Sequence, residues 1–242
     1  MLKRNLISDG LRKQVYDTDD PDVVVIHFKD TVTAYNNIRK AVLEGKGVVN
    51  NAISSLLFSY LAGKGIRTHF LSTDGGREQM CRRTADIPIK MVVHNYVAGP
   101  LAQKLALQEG LKPPAVIYDL IYSTDGIDDL FINDSQALAL GIAGAADLEV
   151  IYATARRIND ILTPLFARAG LKLVDMQLSF RRDTRGEIIL AGEISPDTCR
   201  IWDAETDEKL DRDRFRHDLG KIVASYEKVY QKLSGLMAAQ EA

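Results

Sequence analysis

The sequence predicts an α+β fold in two lobes, built from small antiparallel sheets flanked by helices. Three observations lead there. β-branched runs between polar turns fill the first third of the chain, apolar residues recur at helical spacing in two long later segments, and a strand–turn–strand pattern sits between those segments. The 242 residues exceed the common size of one domain, and an apolar share of 46% is enough for a real core. Mixed strands and helices without regular alternation indicate α+β rather than a parallel α/β array.

Each element has its own signal. Val23 to Phe28 is a β-branched run between Asp-Asp-Pro and Lys29-Asp30. A helix is predicted after the Gly45-Lys46-Gly47 turn, through Leu56, Leu57, Tyr60 and Leu61, closing at Gly63 and Gly65. Strands follow at Thr68 to Leu71, Gln79 to Arg83 and Lys90 to His94, and a lobe boundary is expected at 95/96, where this pattern stops. The second lobe opens with a strand at Val116 to Tyr122. In the next helix Leu148, Ile151, Ala155, Ile158, Leu162 and Phe166 share one face, with a kink or break expected at Pro164. A hairpin runs from Leu171 to Phe180, turns at Asp183-Thr184-Arg185-Gly186 and returns over Ile188 to Ile194. One last helix is predicted from Asp211 to Leu233.

Charge excludes some functions. With 31 basic and 33 acidic residues, the net charge of −2 provides no field to draw the chain to nucleic acid or an anionic membrane. Arg156-Arg157 and Arg181-Arg182 read as solvated faces. No stretch approaches the roughly 20 apolar residues of a membrane span, and the first residues lack the apolar run of a signal peptide. Cys81 and Cys199 have no metal-ligand spacing and read as free thiols, so a reducing, cytoplasmic location is expected. His27, His69, His94 and His217 are scattered, which argues against a histidine-rich metal centre.

Strand period gives the sharpest chemical reading. From Leu171 to Phe180, Val174, Met176, Leu178 and Phe180 fall on one face, and Asp175, Gln177 and Ser179 fall on the other. The polar row faces either solvent or a cleft. Directly after the hairpin, residues 192 to 200 hold Glu193, Ser195, Asp197, Thr198 and Arg200, with Pro196 restricting the backbone. Arg200 suits a two-pronged grip on a carboxylate or phosphate, or a simple pairing with Asp197. Gly10-Leu11-Arg12-Lys13 is either a phosphate-cradling turn or an exposed one, and Gly45-Lys46-Gly47 is either a site or a helix cap with a solvated lysine.

In order, these segments resemble the SAICAR synthetase family over nearly the whole chain. The resemblance rests on Phe28-Lys29-Asp30 with Thr33-Ala34-Tyr35-Asn36, Gly45-Lys46-Gly47 with Asn50-Asn51, Thr68-His69-Phe70 and Leu173-Val174-Asp175. It continues through Glu193-Ile194-Ser195-Pro196-Asp197 and Arg200 to Trp202-Asp203 and Asp213-Arg214-Phe215-Arg216. It implies a two-lobed fold related to ATP-grasp and kinase-like folds, with ATP and magnesium between the lobes. The implied reaction couples an imidazole-type carboxylate to aspartate or a similar amine, and a homo-oligomer is also implied. By the same resemblance Asp175 and Asp197 are catalytic, and Asn36, His94, Ser195 and Arg200 bind substrate. Lys13 and Arg12 serve the nucleotide, and Glu193 holds metal.

The resemblance also marks departures. Family cations are replaced at Leu11, His94, Ser123 and Gln177, family carboxylates at Ser179 and Gly192, a serine at Pro100 and a glutamate at Lys90. The expected cleft is therefore poorer in charge, with Arg12, Arg181, Arg182 and Glu193 as the nearest replacements. Two readings stay open: an amide-forming ligase that has diverged from the purine pathway, and a paralogue without magnesium-ATP chemistry that acts as an ATP-independent enzyme or a ligand-binding or regulatory protein.

Overall fold

A computed structural model describes residues 2–34, 38–123 and 130–241. The first lobe is an antiparallel sheet of β1 (Lys3–Asp9), β2 (Lys13–Thr18), β3 (Val23–Phe28), β6 (Phe70–Thr73) and β7 (Glu78–Arg82), in the order β1-β2-β3-β7-β6. Between β3 and β6 lie the small β4 (Thr31–Ala34) and β5 (Arg39–Val42) pair and the helix α1 (Lys46–Gly63). Gly47 is required where α1 starts, because a Cβ there would stand 2.3 Å from the Phe28 carbonyl oxygen.

The second sheet contains β8 (Ala85–His94), β9 (Ile117–Tyr122), β10 (Leu130–Ile132), β11 (Leu171–Arg182), β12 (Ile188–Ala191) and β13 (Cys199–Asp203), with β11 at its centre. Helices α2 (Gly99–Leu105), α3 (Asp134–Ala139) and α4 (Ala145–Arg168) lie between its strands, and α5 (Asp213–Arg216) and α6 (Ile222–Glu241) follow. β8 pairs with both β9 and β11, so sheet membership divides the chain between β7 and β8, before the 95/96 boundary expected from the sequence. One core ties α1 to the second sheet and its helices: Leu57 and Phe58 join Met91, Met176, Leu178, Ile158, Phe166 and Val229.

Three local expectations need correction. α4 runs unbroken through Pro164, because Pro164 and Asp160 both lie on its exposed side, where the carbonyl that loses its partner meets water. The single last helix is two, since Asp218, Gly220 and Lys221 all adopt positive φ between α5 and α6. Arg214 fastens that break by donating to the carbonyls of Lys209, Leu219 and Gly220. Finally, Val174 does not share a face with Met176. A register shift between Leu173 and Asp175 changes the phase of β11, and Val174 packs with Ala98 and Trp202 instead of the main core.

Candidate active site

The loop from Glu193 to Arg200 is held by its own hydroxyls. Ser195 Oγ donates to Glu193 Oε1 and accepts from the Asp197 amide at 3.1 Å, while the Ser195 carbonyl accepts from Thr198 and Cys199 at 2.9 Å each. Thr198 Oγ1 donates back to the Glu193 carbonyl at 3.1 Å. Ser195, expected to touch substrate, thus has its hydroxyl engaged inside the loop.

Two buried carboxylates project from this loop. Asp197 Oδ2 accepts from Lys46 Nζ at 2.5 Å and from Asn50 Nδ2 at 2.9 Å, and Asp197 Oδ1 accepts from the Tyr226 hydroxyl at 2.8 Å. Glu193 Oε2 pairs with Lys13 Nζ at 2.8 Å, joining β2 of the first sheet to the loop of the second. Burial raises both carboxyls, and nearby cations more than offset it: Lys13 and Arg12 for Glu193, Lys46, Arg12 and Arg212 for Asp197. Both stay ionised. Burial also lowers Lys13, against the pull of Glu193.

Beside the loop, alternating charges cross the second sheet. His94 lies with Nε2 3.4 Å from Asp119 Oδ2 and Nδ1 3.7 Å from Asp175 Oδ2. These are charge contacts, because neither ring nitrogen has a hydrogen-bond partner among the described residues. Arg200 donates through Nη1 to Asp175 at 2.7 Å and through Nε to Asp213 at 2.8 Å, and Asp213 also pairs with Arg216. The row reads Asp119, His94, Asp175, Arg200, Asp213, Arg216, and each cation named lies against a carboxylate. Burial lowers the His94 imidazolium, and the two aspartates more than offset this, leaving it above its ordinary value. Burial raises Asp213 while Arg200 and Arg216 bring it down to about 2. Burial and Asp213 together push the neighbouring Asp211, which accepts from the Ile201 amide at 2.8 Å, up to about 7.

The predicted site residues therefore form two adjoining groups. Lys13, Glu193, Ser195 and Asp197 make one, with Arg12 beside them, and His94, Asp175 and Arg200 make the other. Asn36 lies outside the described residues. Arg181 and Arg182 supply no charge to either group: they pair with Asp86 and Asp147. Sequence reasoning left Lys46 open between a site and a cap, and missed Asn50, Tyr226, Asp119 and Asp213 as site residues. Lys46 and Asn50 had a usable signal, since they stand one turn apart on a helix whose neighbouring Asn51, Ser54 and Ser55 are also buried.

Glu193, expected to hold metal, is paired with other side chains in this structure. Its two oxygens are engaged by Lys13 and Ser195, and the replacements at Ser179 and Gly192 lie against each other with no carboxylate. A Cβ on Gly192 would stand 3.1 Å from Ser179 Cβ. Among the described residues no group of three or more His, Cys, Asp or Glu side chains is placed to hold a metal. Magnesium carried by a nucleotide takes most of its oxygens from phosphate and water and one or two from carboxylates, and the carboxylates here, Glu193 and Asp197, are each paired with a lysine. Pro100, where the family has a serine, occupies the first turn of α2, a position that tolerates its missing N–H.

Comparison with known proteins agrees with this architecture. The family model described as SAICAR synthetase matches residues 6–233. A phosphoribosylaminoimidazole-succinocarboxamide synthase of Clostridium acetobutylicum is 42% identical over 235 residues, covering 97% of this chain and 100% of the relative. One from Dichelobacter nodosus is 42% identical over 236 residues, covering 98% and 99%. The crystal structure of the Ehrlichia chaffeensis synthase superposes with a TM-score of 0.92 at 37% identity, over 95% of this chain and 98% of that one. A SAICAR synthetase solved in complex with ADP superposes with a TM-score of 0.90 at 39% identity, over 94% and 97%. Similarity at these levels, along both chains from end to end, places this protein in the SAICAR synthetase family.

Proposed function

We propose that the chain is an ATP-dependent ligase that forms an amide between an imidazole-type or related heterocyclic carboxylate and the amine of aspartate or a similar compound. One observation carries this reading: the Lys13–Glu193 pair brings the first sheet onto the Glu193–Arg200 loop, beside Asp197, Asp175 and Arg200. The relative solved in complex with ADP supports the use of a nucleotide. In the reaction the acid's carboxylate oxygen attacks the γ-phosphorus and ADP leaves. The amine then attacks the acyl carbon, and phosphate leaves carrying the proton that the nitrogen gives up. Against the effect of burial, neighbouring cations keep Asp175 and Asp197 below the usual carboxylate range, which makes them weak bases, so their contribution is electrostatic, orienting Arg200 and the loop.

The acid partner is a finer part of the proposal. His94 and Arg200 already face Asp119, Asp175 and Asp213, so a phosphate dianion meets no unbalanced cation there. The preferred acid on this reading lacks a phosphate at that end, which separates the chain from the purine-pathway reaction. A phosphate-release assay tests both parts, using ATP, aspartate and an aminoimidazole carboxylate offered with and without ribose phosphate. Release is expected only when acid and aspartate are both present, and faster with the unphosphorylated acid. Preference for the phosphorylated acid would refute the divergence. The absence of release with either acid would favour the second reading, a paralogue without magnesium-ATP chemistry, to which the bare Ser179–Gly192 contact points.

A further inference from the structure

The charges around the Glu193–Asp197 loop do not balance. Lys13 is matched by Glu193 and Lys46 by Asp197, so Arg12 and Arg212 remain as surplus positive charge. Among the described residues, each has a buried nitrogen without a hydrogen-bond partner, Nη1 of Arg12 and Nε of Arg212. Such a nitrogen has lost water without gaining a protein acceptor, a state that an incoming anion relieves. Both side chains are half-buried, so they remain within reach from solvent. The two guanidiniums also repel one another: burial and Arg12 bring Arg212 down to about 10.

The carboxylates show the opposite state. Both oxygens of Glu193 and both of Asp197 are engaged by Lys13, Ser195, Lys46, Asn50 and Tyr226. A divalent ion would have to share these oxygens with their present donors and sit next to the surplus guanidiniums. Two planar guanidiniums with spare donors suit the oxygens of a phosphate chain.

We propose that this cleft is a metal-independent polyphosphate site, in which Arg12 and Arg212 bind the phosphate oxygens directly and no side-chain carboxylate recruits a divalent ion. The site stands independently of the amide-forming reading, because it concerns what the cleft holds and not what it makes. Its ligands are nucleoside diphosphates, nucleoside triphosphates and inorganic polyphosphates.

Sodium tripolyphosphate, titrated calorimetrically into the full chain in EDTA and again in excess magnesium chloride, tests the proposal. Binding is expected in EDTA and is expected to weaken several-fold when magnesium occupies the ligand. Arg12→Gln and Arg212→Gln should each weaken it about tenfold, the scale of one lost charge-assisted contact, with thermal transitions unchanged. Arg12 lies beside the β1–β2 turn, so its variant keeps the test open if Arg212→Gln fails to fold. Binding seen only with magnesium, binding indifferent to Arg12→Gln, or no binding at millimolar ligand would each overturn the site. Metal-free binding with no phosphate release in the acid-plus-aspartate assay would leave the site standing and remove the ligase reading.

Discussion

His94 shows how much a single side chain depends on partners in other strands. Its imidazolium is held by Asp119 on β9 and Asp175 on β11, and its pKa is raised above 6.5. Because the folded value lies above the unfolded one, the stabilisation is fully present below about pH 6.5 and is lost as pH rises through the higher folded value. His94→Gln should therefore cost about 1 kcal/mol at pH 6, the scale of an ion pair without hydrogen bonds, and much less at pH 9. Denaturant midpoints across that range check this, and a cost that does not change with pH would refute it. The sequence made His94 visible only as a departure from a family pattern, since its aspartates are brought to it by sheet pairing. Lys46 was still less legible. A lysine in a glycine turn looks solvated, and its counter-charge Asp197 lies 151 positions away.

Elements with a strong period were readable. Val23 to Phe28 forms β3 with the predicted bounds, and the apolar stripe of α4 is buried as expected. β11 was readable except at its register shift, because period-two reasoning assumes an unbroken ladder, and the shift depends on pairing with β13. β1 escaped notice for another reason: all its residues are exposed, so burial imposes no alternation on it. The contact between β11 and Gly192 leads to a prediction at this scale. The double variant Ser179→Glu, Gly192→Asp places two carboxylates where the strand meets the loop, at a cost of roughly 1–2 kcal/mol for an aspartate at φ +81. ADP binding should then become at least tenfold tighter with magnesium than in EDTA, as read by calorimetry. A variant indifferent to magnesium would mean that the two positions do not face the cleft.

The whole molecule is unevenly braced. The main core runs from α1 through β8, β11 and α4 to α6, whereas the first sheet has its own small cluster around Val24, Ile26, Phe28 and Cys81. Hydrogen exchange should report amides of β1 and β2 opening at a free energy at least about 2 kcal/mol below those of β8 and β11. Equal protection in the two sheets would contradict this reading of the core. Asp197 works across the same span, since one carboxylate meets Lys46 and Asn50 of α1 and Tyr226 of α6 while belonging to the loop. Its pKa is depressed well beneath that of a free aspartate, so protonation cannot loosen this rivet until the surroundings become strongly acid. Across the ordinary range of cellular acidity the three pieces it fastens should move as one body.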